Sequence, residues 1–218
     1  ESIRKVVETA RANNFNALIV QVRGRGDAFF NGGKEPRAES LADQPADFDP
    51  LQTAIDLGHA AGLEVHAWLN TFYTWSGSRK PKDPAHVVNA HPEWLMAGRD
   101  GKVDFTSGAT SEGAFMDPGN PEARKWIHDI FLDVATRYNV DGIHFDYVRY
   151  PNKDTGFNDS DLKQFQELVD AGLTPEQKDA LSADPRRDAY TLMFPNRWAQ
   201  WRRDNVTGVV RGIYEAVK

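Results

Sequence analysis

Val140-Asp141-Gly142-Ile143-His144-Phe145-Asp146-Tyr147 reads as a β-strand, with Tyr150-Pro151 closing it. Residues two apart share a face, so His144 and Asp146 project together from a segment otherwise apolar enough to be buried. Two similar stretches lie upstream. Ala17-Leu18-Ile19-Val20-Gln21-Val22-Arg23 is apolar and β-branched on both faces, as expected of a parallel strand covered on each side, and Gly24 and Gly26 break it. Leu63-Glu64-Val65-His66-Ala67-Trp68-Leu69-Asn70 is the other.

Helical patterns alternate with these strands. Ile3, Val6, Val7 and Ala10 recur at helical spacing over residues 3–14, which end in Asn13-Asn14. Asp49-Pro50 supplies an N-cap and a first-turn proline for a helix through Ala61 that Gly62 ends. A third helix starts in Asp117-Pro118-Gly119-Asn120-Pro121-Glu122 and runs to about Tyr138, with Trp126, Ile130, Phe131 and Val134 on its apolar stripe. From about Asp159 the pattern is helical with breaks at Gly172, Pro175, Pro185 and Pro195, and it finishes in a helix from about Arg197 to Lys218. Strands separated by crossover helices make a parallel sheet, so the fold class is α/β, built from one domain over residues 1–218. Between the second strand and the third helix lies a long loop, residues 71–118, of the kind that is usually functional or mobile.

Candidate chemistry gathers at the C-terminal ends of the strands, where parallel sheets bind ligands and where a buried polar group needs a role or a partner. Gln21 and Arg23 share a face there, as do His66, Trp68 and Asn70, and His144 and Asp146. Asp146 is the candidate catalytic carboxylate; the competing reading pairs it structurally with Arg23 or Arg149. Asp27, just past Gly24-Arg25-Gly26, is a second candidate carboxylate or an ordinary turn aspartate. Gly24-Arg25-Gly26 is no dinucleotide fingerprint, because no third glycine opens a helix there. Tyr73 and Trp75 leave the second strand, and Arg149 and Tyr150 the third, at the ligand-facing end. The aromatic faces of the tyrosines and Trp75 suit stacking on sugar, and buried packing is the competing account. His66, His144 and Asp146 could also form a two-histidine, one-carboxylate metal site, although no His-x-x-x-His spacing supports it, and no cofactor is expected. Trp198 and Trp201 read as core.

Composition narrows the function classes. The 218 residues are 40% hydrophobic and 27% charged, enough for one sizeable core, and carry a net charge of −6. With a pI near 5.5 the chain lacks the basic face that phosphate neutralisation requires, and Arg186-Arg187 and Arg202-Arg203 are too short and too interleaved with Asp to supply one. No apolar run approaches the ~20 residues of a membrane span. The absence of cysteine removes disulfides and thiolate metal sites.

Gln21-Val22-Arg23 with Gly26-Asp27-Ala28, His66-Ala67-Trp68-Leu69-Asn70, His91-Pro92-Glu93-Trp94, Tyr138 to Tyr147 with Tyr150-Pro151, and Trp201 to Val206 together resemble the glycosyl-hydrolase-like family 10. The similarity runs through nearly the whole chain. It implies a TIM-type (β/α) barrel, a glycosidase-like site at the strand ends and an exported, extracytoplasmic bacterial protein; some relatives act on peptidoglycan glycan strands stripped of their stem peptides. The positions carried over are Arg23, Asp27, His66, Asn70, His144, Asp146, Tyr150 and Arg202. Members often have a second Asp where this chain has Tyr147, and they begin with an earlier strand and continue past the last helix. About half of a barrel is therefore expected here, truncated at both ends. The expected activity is carboxylate acid/base cleavage of a polysaccharide or oligosaccharide. A non-catalytic carbohydrate-binding barrel and a metal-dependent barrel hydrolase or isomerase are the alternatives.

Overall fold

The three expected strands form a single parallel sheet in the computed structural model, which describes residues 1–103 and 112–218. In chain order the strands are β1 (Ala17–Arg23), β2 (Glu64–Asn70), β3 (Tyr73–Trp75), β4 (Ala114–Phe115) and β5 (Gly142–Asp146), and the parallel sheet has the order β1-β2-β5. Helices α1 (Ser2–Ala12), α2 (Pro50–Ala60), α3 (Val87–Ala90) and α4 (Pro121–Arg137) precede β5; α5 (Asp159–Asp170), α6 (Pro175–Ser182), α7 (Ala189–Met193) and α8 (Pro195–Val217) follow it.

Helix boundaries follow local chemistry. The Asp49 carboxylate accepts from the Gln52 amide at 3.0 Å with Pro50 in the first turn of α2, and Gly62, at φ +73°, takes the left-handed turn after it. Asn120 caps α4 by accepting from the Glu122 and Ala123 amides, so this helix begins at Pro121, inside the stretch expected to start it.

One face of the sheet is packed and the other open. Val22, Val65, Ala67, Leu69 and Phe145 meet Leu51 and Ile55 of α2, Ile127, Ile130 and Phe131 of α4, and Val209 and Ile213 of α8. On the opposite face Ile19 is 56% exposed, Gln21 and His144 are exposed, and His66 and Trp68 are half-buried. The expectation that β1 is covered on both sides is corrected here. A barrel strand packs helices only on its outer side, while its inner side is closed by strands across the barrel, and this sheet has three strands. The arrangement is that of a partial barrel.

The expected loop 71–118 is partly structured. β3 and β4 pair antiparallel within it, and α3 and a turn of 3-10 helix at Pro92–Trp94 follow β3; residues 104–111 of the loop lie outside the described residues. Trp198 and Trp201 stack at 5.0 Å in a second cluster with Phe157 and Phe165, the core role expected of them. Among the described residues no helix is long and apolar enough to cross a membrane.

A buried carboxyl pair lies between β4 and α5. Asp117 and Asp161 are both fully buried and in contact; Asp117 accepts from the Gly119 amide at 2.9 Å, whereas neither oxygen of Asp161 has a hydrogen-bond donor of its own. Two carboxyls this close cannot both ionise without water, and the one lacking donors keeps the proton. Burial first, and then the charge of Asp117, push Asp161 up to about 10. A carboxyl raised above its unfolded value of 3.8 contributes stability that is fully present below that value and is lost as pH climbs from there toward 10. Asp161→Asn, which mimics the protonated form, is expected to match wild type near pH 4 and to exceed it by roughly 2–4 kcal/mol at neutral pH. Urea melts across that range check this, and a gap that does not widen with pH would count against the shared proton.

Candidate active site

Parallel register stacks the polar side chains of the open face in rows. Ile19, His66 and Gly142 form the lowest row, Gln21, Trp68 and His144 the next, and Asn70 and Asp146 the top one, at the C-terminal strand ends. Trp68 and His144 meet edge to face with ring centroids 5.8 Å apart. Asn70 and Asp146 are therefore neighbours, whereas His66 lies four residues lower on β2, a drop of about 13 Å at the strand rise. His66 bonds Glu64 at 3.0 Å instead. Register thus separates the three residues of the metal reading, and among the described residues no group of three His, Asp or Glu could hold a metal ion.

The two arginines that could neutralise Asp146 are committed elsewhere. Arg23, 0% exposed, forms a two-pronged ion pair with the buried Glu35, both contacts at 2.7 Å, and donates to the carbonyls of Asn70, Thr71 and Tyr73. Arg149 pairs with Glu112 at 2.8 Å. Asp146 is left half-buried, with one oxygen accepting from the Tyr147 amide at 2.7 Å and, among the described residues, no ion pair. Arg23 was expected to touch substrate; its donors are used up beneath the strand ends, so it shapes the mouth by fixing the exit of β2.

Asn70 ties the top row together. Its Oδ1 accepts from Trp68 Nε1 at 2.9 Å and from Gln21 at 3.4 Å, and its Nδ2 donates to the Gly24 carbonyl at 2.8 Å. Beyond Gly24 the chain turns so that buried Asp27 accepts from the Arg25 amide at 2.8 Å. His86, which nothing in the sequence marked, holds this turn: its Nε2 donates to the Arg25 carbonyl at 2.7 Å and its Nδ1 accepts from the Val88 amide at 3.2 Å. Both roles require the neutral ring, and burial lowers its pKa accordingly. Glu35 was equally unmarked, since it lies in a loop with no periodicity.

The aromatic surface differs from expectation in two members. Tyr73 and Tyr147 stack at 4.7 Å beside Phe115, with the Arg149 guanidinium 5.3 Å over Tyr147. Tyr147 adopts φ +48°, a left-handed conformation that a bulky residue rarely takes. Trp75, expected to stack on sugar, is instead buried: its Nε1 donates to the Arg79 carbonyl at 2.8 Å, its ring meets His86, and Arg25 lies 4.9 Å from it. Tyr150 is also packed rather than open, with its hydroxyl buried and the Arg202 guanidinium 4.0 Å from its ring; burial raises its pKa well above the usual tyrosine value.

A polar strand-end row on a partial barrel suits a glycosidase, and the family model described as Glycosyl hydrolase-like 10 matches residues 1–218. The chain belongs to this family. Glycosyl hydrolase YngK of Bacillus subtilis (strain 168) is 28% identical over 219 residues, covering 98% of this chain and 36% of that protein. Glycosyl hydrolase DigH of Escherichia coli (strain K12) is 30% identical over 221 residues, covering 93% and 41%. The chain thus spans about two-fifths of the length of these curated relatives. Among solved structures, α-L-fucosidase isoenzyme 2 from Paenibacillus thiaminolyticus superposes with a TM-score of 0.64 at 18% identity, over 99% of this chain and 27% of that one. The PgaB (BpsB) glycoside hydrolase domain from Bordetella bronchiseptica gives 0.60 at 18% identity, over 99% and 54%. At such identities these neighbours show the fold, a TIM-barrel type. Membership of the glycosyl hydrolase-like 10 family supports a glycosidase-type function acting on carbohydrate.

Proposed function

We propose that this chain carries the first strands of a polysaccharide-cleaving site in which Asp146 is a catalytic carboxylate, with bare peptidoglycan glycan strands as the candidate substrate. The observation that carries this reading is the state of Asp146: it stands at a strand end, partly open, while the nearby arginines are paired with Glu35 and Glu112. Glycosidic cleavage uses two carboxyls, about 5–5.5 Å apart when configuration is retained and about 6.5–9.5 Å when it is inverted. Asp27 is the proposed partner, reached through Gly24 and Asn70 from the other side of β2. His144 orients the sugar, Asn70 holds the strand-end row from beneath through Trp68, Gln21 and Gly24, and Tyr73 with Tyr147 forms the face on which a ring stacks. An extracytoplasmic location accords with a wall polymer as substrate, and fractionation of cells would test it.

A carbohydrate-binding barrel without turnover is the second reading, favoured by Tyr147 at the place where members often have a further Asp. Incubating the protein with peptide-stripped wall glycan and sizing the products by mass spectrometry separates the two. Shortened strands are expected. Intact strands that nonetheless bind would move the assignment to the binding barrel, and neither cleavage nor binding would remove this substrate.

A further inference from the structure

The segment leaving β5 and helix α8 line an open cavity of about 480 Å³, within the usual range of ligand pockets. Its lining contains Arg149, Lys153, Arg202 and Arg203 and no carboxylate, on an apolar wall that includes Val148 and Val206. In a chain of net charge −6, four cations line one cavity that no carboxylate lines, a local concentration of positive charge. The pairs Arg202-Arg203 and Arg186-Arg187 gave no basic face in the sequence; folding joins the first of them to residues from a different element.

The charges are only partly spent. Arg202 donates to the carbonyls of Asn152 at 2.8 Å and Lys153 at 3.4 Å, and Arg203 to the Gln200 side chain at 2.7 Å, all neutral acceptors. The Lys153 ammonium is exposed and, among the described residues, makes no hydrogen bond or ion pair. Arg149 pairs with Glu112 at the surface, a contact weak enough to exchange. The buried Asp117 and Asp161 share a proton and act on Tyr150 and Arg202, so they offset part of the field, but neither lines the cavity. Val148 stands two residues past Asp146, so the cavity adjoins the candidate mouth.

We propose that this cavity is an anion subsite that receives the carboxylate of an acidic sugar, so that the protein selects carboxylated over neutral glycans. The proposal rests on the glycosidase reading only in taking a glycan as the ligand. Arg202, stacked over Tyr150 and anchored to two carbonyls, fixes a positive charge in the wall, Lys153 and Arg203 supply mobile charge at the rim that can meet a carboxylate, and the apolar wall takes the less polar face of the sugar.

The test is binding to the protein carrying Asp146→Asn, which keeps the ligand uncut. Oligosaccharides of peptide-stripped wall glycan and of uronic acid are each titrated beside the same material with its carboxyls reduced to alcohols. At least tenfold tighter binding of one carboxylated form over its reduced form is expected, shrinking with added salt. The Lys153→Gln/Arg203→Gln double variant, altering two exposed side chains, is expected to cut that preference to below threefold. Equal or absent binding of all four probes would overturn the subsite, as would a preference that the double variant leaves intact. Cleavage with no carboxylate preference would overturn this proposal alone; a carboxylate preference without cleavage by wild type would overturn the glycosidase reading alone.

Discussion

Glycan turnover by Asp146→Asn is expected to fall about 10²–10⁴-fold in kcat, the range that a positioned acid or base contributes, while affinity for the uncut strand changes little. The substitution is nearly isosteric. Its carbonyl oxygen still accepts from the Tyr147 amide, as the carboxylate does at 2.7 Å, so the turn after β5 keeps its geometry while the titrating group is lost. Shape and chemistry are thereby separated: a rate loss with normal binding assigns chemistry to Asp146. An unchanged rate would leave it the turn-stabilising role that the amide contact already gives it. Measuring binding and single-turnover rate on the same glycan decides between these.

Glu35→Ala is expected to cost about 3–5 kcal/mol of stability, because it strands a guanidinium that is fully buried. The pair cannot be judged by its contacts alone, since desolvating two ions offsets much of their attraction; what makes the single loss severe is the uncompensated charge. Arg23 also donates to the carbonyls of Asn70, Thr71 and Tyr73, so replacing both partners by apolar residues would recover only part of the deficit, leaving those carbonyls short of donors. Urea unfolding followed by tryptophan fluorescence gives the value. A loss under about 1 kcal/mol would show that water reaches Arg23 and that the exit of β2 is held by other bonds.

The strands and caps were legible because their signals are local. Apolar, β-branched runs bounded by turn residues place β1, β2 and β5 to within about two residues, and Asp49-Pro50 announces α2 through side-chain chemistry that acts over a single turn. The strand-end residues Asn70 and Asp146 followed from period two, and register then made them neighbours. Partnerships across the chain were not legible. Glu35 finds Arg23 from an irregular loop, and Asp161 meets Asp117 although each reads as a residue of a helix start. The strands β3 and β4 are too short to show a period, so the burial of Trp75 against His86 left no trace in the sequence. Apolar residues on both sides of a strand look the same whether helices or opposite strands cover them, so the open inner face of β1 has no signature in the sequence.

Tyr147 has a consequence for how such a site can diverge. Left-handed backbone disfavours a bulky side chain and is several-fold enriched in Asn and Asp. The φ of +48° therefore holds tyrosine where aspartate would rest more comfortably. Tyrosine and aspartate codons are a single base apart, so the exchange between an aromatic shelf and a second carboxylate lies one mutational step away and relaxes the main chain in passing. Along such a lineage, gain of a charged group at the mouth meets no conformational barrier, and loss of it is the direction the backbone resists.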